Sequence, residues 1–442
     1  MLVLHPVTDA FATPPTRSIA IACQGGGSHT AFTAGVLSRL LAADELATHR
    51  IVGLSGTSGG AVCALLAWSA LRDGDRVGAG RVLEEFWADN SATGPLERLL
   101  NAWVLAAGTA QNFGLLPGVS PYQLPTSAMG LDEFRKLLAR HVDFERIEAD
   151  PSGRHPMLLL DAVDVCSGEF RAFNSRHERI TTESVLASAA IPTLFPAVHV
   201  DGGAYWDGLF SQNPPVRELL DAEPDELWVV QVNPRERSEE PRSVLDIADR
   251  RNELAGNLSL YQELGFIEKV DRLLEDGLLS GGGKYKQVVV RIIELPRAAV
   301  PGTLGPASKL DRDAAFLAGL VAHGKAQAEV FLAALAFERA WASRDPDGVM
   351  SALADDAELR SCPPFPVCQT TRDRDRVREF VAAQLCPSVV VDPVRKHIIG
   401  DTIHWSVRMR VDGTTVEGVA ELEIGGAGVS RLHLGPPAGR RP

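Results

Sequence analysis

The sequence predicts an α/β protein, a largely parallel sheet with helices on both faces, followed by a smaller α+β unit. Three observations lead there. Up to about residue 335, short near-continuous apolar runs alternate with helix-like stretches, the mark of strands covered on both faces. Glycine clusters directly follow the first two runs, where strand-to-helix turns belong. Beyond residue 335 the order becomes helices and then four consecutive strand-like runs, which is an α+β pattern.

Residues 18–23 (SIAIAC) read as the first strand and 31–43 as the first helix. Residues 49–54 (HRIVGL) form a second strand, broken by glycines and followed by an apolar helix from Ala61. Further strands are expected at 157–162, 170–173, 227–232 and 287–295, and an Ala/Leu-rich helix at 311–335 closes this unit. Short helices at 336–343 and 347–353 then flank a turn at Arg344-Asp345-Pro346. A strand at 357–360, a Pro-rich loop at 362–367 and a helix at 371–385 come next. The runs 389–399, 402–411, 415–424 and 428–434 are separated by Gly400-Asp401, Asp412-Gly413 and Gly425-Gly426, as in an antiparallel meander. Such a block is not expected to continue a doubly covered parallel sheet, so the chain divides into a tail (1–15), a large unit (16–335) and an accessory unit (336–442).

At 442 residues, 45% hydrophobic and 23% charged, the chain has the composition of two or three globular domains rather than of a disordered protein. Its 44 Lys and Arg against 57 Asp and Glu give a net charge of −13, which argues against nucleic-acid binding through a diffuse basic field and against a polybasic lipid clamp. Residues 336–442 hold 14 basic and 15 acidic side chains, so nearly all the excess negative charge lies before them. The first ten residues carry no Lys or Arg, and the apolar run 61–68 is far short of the ~20 residues that span a bilayer. Six scattered cysteines without a CxxC pair fit reduced thiols, and the expected location is cytoplasmic. No metal-ligand spacing occurs, and no cofactor is expected.

Gly56-Thr57-Ser58-Gly59-Gly60 is a G-x-S-x-G sequence between a strand and an apolar helix. A serine on such a turn exposes its hydroxyl, the glycines permit the tight backbone, and N–H groups from Gly59 onward face the same point. The alternative is an ordinary Gly-Ser loop; the overlapping Ser55 lacks the second glycine. Gly25-Gly26-Gly27 also lies between a strand and a helix, where converging N–H groups can bind an anion. Thr30 occupies the third glycine position of a dinucleotide fingerprint, and no GK[ST] follows, which leaves an oxyanion hole or a plain tight turn. Asp207-Gly208 supplies an aspartate in a glycine-rich turn, and Asp201 presents the same ambiguity.

Together, CQGGGSHTAFTAGVL, GLSGTSGGAV and YWDGLFSQNPPV resemble the patatin-like phospholipase family, as does ASAAIPTLFPA at 187–197. The resemblance covers roughly residues 16–335. It implies a three-layer α/β/α sandwich and a Ser–Asp dyad without an obligatory histidine. On that mapping Ser58 is the nucleophile, Asp207 rather than Asp201 the base, and Gly25, Gly26 and Gly27, with Gly59, the oxyanion hole. His29 and Thr30 stand where the family usually has a basic residue and a glycine, and Leu209 follows Asp207-Gly208 where Gly or Ala is frequent. A conventional triad with His323 matches the α/β-hydrolase order of residues but places the histidine inside a helix.

Residues 95–124, with Leu99, Leu100, Trp103, Val104 and Leu105, are apolar and poorly periodic, fitting either a lid or acyl-chain wall or an ordinary packed helix and loop. The order of residues 336–442 is similar to the SnoaL-like family, an α+β cone shared with nuclear transport factor 2. The FERAW stretch ending at Trp341, Asp345-Pro346-Asp347 and the His404-Trp405 strand carry that resemblance. Such a fold encloses a pocket, for which Asp347, His404 and Trp405 are the candidate lining against the plainer reading of core or surface positions; no catalysis is assigned to it, and homodimerisation or ligand binding is expected. The expected partners are a lipid or acyl-ester substrate and transient contact with a lipid surface.

Overall fold

A computed structural model describes residues 17–112, 120–192, 194–237, 239–242, 244–280, 285–296, 304–305, 307–362, 369–385, 389–411, 414–425 and 428–435. The tail, the stretch 114–118 inside the expected lid, most of the Pro-rich loop, and Cys368 and Cys386 lie outside those residues. The strands are β1 (Arg17–Cys23), β2 (His49–Gly56), β3 (Met157–Asp164), β4 (Phe170–Asn174), β5 (Val198–Val200), β6 (Gly203–Asp207), β7 (Glu226–Gln231), β8 (Val289–Glu294), β9 (Leu353–Ser361), β10 (Gln369–Thr371), β11 (Val389–Ile399), β12 (Thr402–Val411), β13 (Thr414–Gly425) and β14 (Gly428–Gly435). The helices are α1 (Ala31–Ala42), α2 (Gly59–Arg72), α3 (Gly78–Asp89), α4 (Pro95–Asn112), α5 (Pro125–His141), α6 (Thr182–Ser188), α7 (Val244–Glu275), α8 (Ala314–Ala342), α9 (Pro346–Ala352) and α10 (Arg374–Gln384).

Strands β8-β7-β1-β2-β3 form a parallel core, and β3 pairs antiparallel with both β4 and β6. Alternate residues of each central strand enter two different cores, as the pleat requires. Ile19, Ile21, Leu158 and Leu160 face α1, α2, α3 and α8, whereas Ala20, Ala22, Leu159 and Val229 face Leu260, Leu264 and Ile267 of α7. The result is the three-layer α/β/α sandwich. Local signals set the ends: Thr181 and Ser184 close a capping box on α6, and Asp313, Asp345 and Asp373 cap α8, α9 and α10 with their carboxylates.

The accessory block folds as read, with α9, α10 and the antiparallel run β11-β12-β13-β14, and β9 beside β14. Its separation from the first sheet does not hold. Strand β11 pairs in parallel with β8, Arg395 opposite Val290 through Ile399 opposite Glu294, so one sheet of 14 strands runs through both units. Residue 335 lies inside α8, which continues unbroken to Ala342 and feeds one hydrophobic cluster from Phe32 to Leu434. The reason is edge chemistry: β8 would otherwise present unpaired backbone groups, and β11 offers a matching edge.

Charges tighten this seam. Arg291 of β8 donates to Glu226 at 2.6 and 3.3 Å and to Glu338 of α8 at 2.6 Å, and Lys396 of β11 donates to the same Glu338. Glu226 also accepts from Arg17 at 2.8 Å and from the Trp228 indole at 2.9 Å. Burial alone would raise the Glu226 carboxyl, but Arg291 and these donors hold it well below the usual range. Burial, reinforced by Arg291, pushes the Lys396 ammonium down to about 8. Helix α8 is long and apolar enough to cross a membrane by composition, and half of its most apolar stretch is packed inside the protein.

Candidate active site

The expected site residues meet at the carboxyl ends of the parallel strands, where an open α/β sheet offers a crevice. Strand β2 ends at Gly56 and α2 begins at Gly59, so the chain reverses within two residues. Ser58 takes φ 57° and ψ −128°, a left-handed conformation strained for a side-chain-bearing residue. That turn is pinned from three sides. The Ser58 N–H donates to Ser188 Oγ at 3.1 Å, the Thr57 hydroxyl to the Gln212 carbonyl at 2.7 Å, and the Gly60 N–H to the Thr57 carbonyl at 2.9 Å.

Asp207 ends β6, and its carboxyl is near enough to the Ser58 hydroxyl for that group to lower its pKa. Its Oδ1 accepts the Leu209 N–H at 2.8 Å, and its own N–H donates to the Ala190 carbonyl at 2.9 Å. Leu209 therefore serves through its backbone, which any residue in that place would provide. Burial pushes the Asp207 carboxyl up to about 6, against the Ser58 hydroxyl, the bond from Leu209 and the nearby charge of Lys309, which lower it. Asp201 is set aside by its position: it has φ 49° in the turn between β5 and β6 and is exposed.

The glycine loop follows β1 and lies against the serine turn; a Cβ on Gly25 would come within 3.0 Å of the Ser58 Cβ. Gly25 departs from the expected oxyanion role, because its N–H is spent on Asn213 Oδ1 at 2.7 Å. The N–H groups of Gly26, Gly27 and Gly59 meet no acceptor among the described residues. Gly27 has φ 58°, and a Cβ there would stand 2.2 Å from the Lys309 carbonyl, so glycine is required. His29 and Thr30 are buried rather than presented to a substrate. His29 Nε2 lies 2.8 Å from Ser308 Oγ, and the Thr30 hydroxyl donates to the Gly27 carbonyl at 2.6 Å.

Several residues that pattern reading missed hold this loop. Gln24 accepts the Val232 and Asn233 N–H groups at 3.0 and 2.8 Å and donates to Asn257 at 2.7 Å. Asn233 donates to the Gly25 carbonyl at 3.0 Å, and Lys309 donates to Asn233 Oδ1 at 2.7 Å. Gln24 and Asn213 stood inside the quoted motifs, whereas Asn233, Asn257 and Lys309 come from segments without any motif.

His323 lies in the middle of α8 and makes no hydrogen bond to Ser58 or Asp207 among the described residues. His404 Nδ1 lies 3.4 Å from Glu421 on β13, Asp347 accepts from Arg378 on the surface, and Trp405 packs against Phe337 and the Lys396 ammonium, so these three do not converge on one site. In the expected lid, 95–112 is the helix α4, with Leu96, Leu99, Leu100 and Trp103 exposed, Trp103 by 68%. Asn101 of α4 donates to Asp311 at 2.8 Å, which ties that helix to the Lys309 segment.

Comparison with known proteins adds the following. No curated protein matches the chain in sequence. Three solved structures are alike over about a quarter of it. An NTF2-like protein of unknown function from Cytophaga hutchinsonii is 10% identical and covers 24% of this chain and 87% of its own, with a TM-score of 0.21. An NTF2-like protein of unknown function from Mesorhizobium loti is 16% identical over 25% and 92%, at 0.23. A putative ketosteroid isomerase from Kribbella flavida is 19% identical over 26% and 82%, at 0.22. The family described as patatin-like phospholipase matches residues 21–220, a span that includes the glycine loop, Ser58 and Asp207. Over residues 21–220, just under half of its length, the chain is thus similar to the patatin-like phospholipase family.

Proposed function

We propose that the chain is a serine lipid acyl hydrolase that cleaves fatty-acyl esters through Ser58 and Asp207. The observation that carries this reading is the pair itself: a buried serine held at φ 57° on a strand-to-helix turn, its hydroxyl close enough to the buried Asp207 carboxyl to lower its pKa. A carboxyl raised to about 6 is largely ionised at neutral pH and close enough to it to accept a proton.

In this mechanism Asp207 takes the Ser58 proton as Oγ attacks the ester carbonyl. The developing oxyanion meets the N–H groups of Gly26, Gly27 and Gly59, each donor worth roughly 3–4 kcal/mol of barrier. Collapse expels the alcohol, which recovers the proton from Asp207 and leaves an acyl-enzyme on Ser58. Water then gives a proton to Asp207 as it attacks the acyl carbon, the bond to Ser58 Oγ breaks, Oγ recovers the proton from Asp207, and the fatty acid leaves. The exposed apolar face of α4, tied to the Lys309 segment beside the glycine loop, is the proposed place of contact with a lipid surface. Such contact by an acidic protein rests on apolar burial rather than on charge.

The test is a panel of acyl esters, lysolipids, phospholipids and glycerides run with wild type, Ser58→Ala and Asp207→Asn. Hydrolysis by the wild type that both variants lose supports the reading. An inactive wild type, or an active Ser58→Ala, overturns it.

A further inference from the structure

A second buried aspartate lies under the catalytic one. Asp161 sits on β3 beside Ala162, the register partner of Asp207 on β6, and the pleat sends its side chain to the opposite face of the sheet. It is 0% exposed. Its Oδ2 lies 2.5 Å from Ser211 Oγ and 3.1 Å from the Gln212 N–H, which donates to it, and its Oδ1 has no partner. A Cβ on Gly208 would stand 2.0 Å from Oδ2, so the turn after Asp207 rests directly on this carboxyl.

The charges around it are of one sign. The charges of Asp207 on β6 and of Glu218 at 218–222 both act on it. Glu263 of α7 and Glu218 both accept from Gln212, at 3.0 and 3.1 Å. The nearby cation, Arg217, is spent on Glu218 at 2.7 Å, and no cation reaches ion-pair distance of Asp161 among the described residues. A buried carboxylate here would have neither a counter-ion nor a full set of donors.

The hydrogen-bond count also lacks a proton. The Ser211 hydroxyl has one hydrogen but lies between two acceptor oxygens, Asp161 Oδ2 at 2.5 Å and the Gly208 carbonyl at 3.1 Å. A neutral Asp161 supplies what is missing: its O–H donates to Ser211 Oγ, and Ser211 donates to the Gly208 carbonyl. We propose that Asp161 is a positioning residue that works as a neutral carboxylic acid, fixing the 207–212 turn from below so that Asp207 alone carries the ionisable role at Ser58. Burial raises the Asp161 carboxyl far above its ordinary range, and Asp207 and Glu218 push it the same way, in keeping with this geometry. The proposal rests on the hydrolase reading for its effect on rate, but not for its effect on stability.

The experiment compares wild type, Asp161→Asn and Asp161→Ala. Asn keeps the donor to Ser211 but gives up the acceptor that the Gln212 N–H uses, a loss independent of pH, and Ala removes both. In melting curves from pH 4 to pH 8, Asp161→Asn should gain on the wild type as pH rises, because only the wild type must hold a proton in the folded state that the unfolded chain releases. In kinetics, Asp161→Asn should keep kcat within about threefold at neutral pH, and Asp161→Ala should lose more than tenfold in kcat with KM little changed. A decline in kcat at alkaline pH should appear in the wild type and be absent from Asp161→Asn. If the difference in melting temperature between Asp161→Asn and the wild type stays constant across that range, the group is an ionised carboxylate and the proposal fails. The melting curves decide this even if the wild type hydrolyses no ester.

Discussion

The hydroxyl of Ser58 acts on the buried carboxyl of Asp207, lowering its pKa, and no histidine bonds either group among the described residues. On the proposed hydrolase reading, one carboxyl carries the proton traffic that a triad gives to imidazole. A carboxyl does that near neutral pH only if its surroundings raise it, and burial does so here, outweighing Ser58, Leu209 and Lys309, which lower it.

The rate should follow that carboxyl. The acid limb of kcat/KM is expected to fall with an apparent pKa of about 6. Stability follows with a fixed sign. The folded carboxyl is raised above the unfolded 3.8, so the wild type loses stability as pH rises from about 4 to about 6. Asp207→Asn should therefore abolish hydrolysis and be more stable than wild type by about 2–3 kcal/mol above pH 7, a gain that vanishes towards pH 4. Paired pH–rate and thermal denaturation series check both halves.

Lys309 lowers the Asp207 carboxyl and braces the loop through Asn233. Lys309→Met should move the acid limb of the rate to higher pH and lower kcat by about tenfold, through a loosened glycine loop. An unmoved limb in the pH profile would remove Lys309 from the electrostatics of the site.

Ser58 occupies a backbone region that glycine enters freely. Ser58→Gly should remove activity and raise stability by about 1 kcal/mol, whereas Ser58→Ala removes activity without that gain. Denaturant midpoints of the two variants at equal slope make the comparison.

The seam between β8 and β11 depends on Arg291. Arg291→Met leaves Glu226 and Glu338 buried without their main counter-ion and should destabilise by about 3–5 kcal/mol. Adding Glu226→Gln should return part of that loss, read as the coupling term of a double-mutant cycle in urea.

Leu99 and Trp103 share the exposed face of α4. The pair Leu99→Gln and Trp103→Gln should leave hydrolysis of a soluble short-chain ester within about twofold. The same pair should weaken action on neutral phospholipid vesicles by about tenfold, measured as sedimentation with vesicles and as rate. Equal losses on both substrates would remove α4 from lipid contact.

Much of this was legible locally. The strand-glycine-helix passages at 23–31 and 56–61 carry their own punctuation, and β11 to β14 are spaced by turn dipeptides. The β8–β11 junction was not, because edge pairing uses backbone groups that every sequence has. Nor were Asn233, Asn257 and Lys309, which reach the loop from segments distant in sequence and without a pattern of their own. Asp161 did leave a trace as the first charge in the apolar run MLLLDAVD, where a strand buried on both faces has no use for one unless it is bonded.

The central claim is a serine nucleophile activated by an aspartate alone, and fluorophosphonate labelling with peptide mapping tests it most directly. The account predicts one adduct, on Ser58, at full rate in the wild type and in His323→Ala, strongly slowed in Asp207→Asn and absent in Ser58→Ala. An adduct on another serine, or a label lost in His323→Ala and kept in Asp207→Asn, would contradict it.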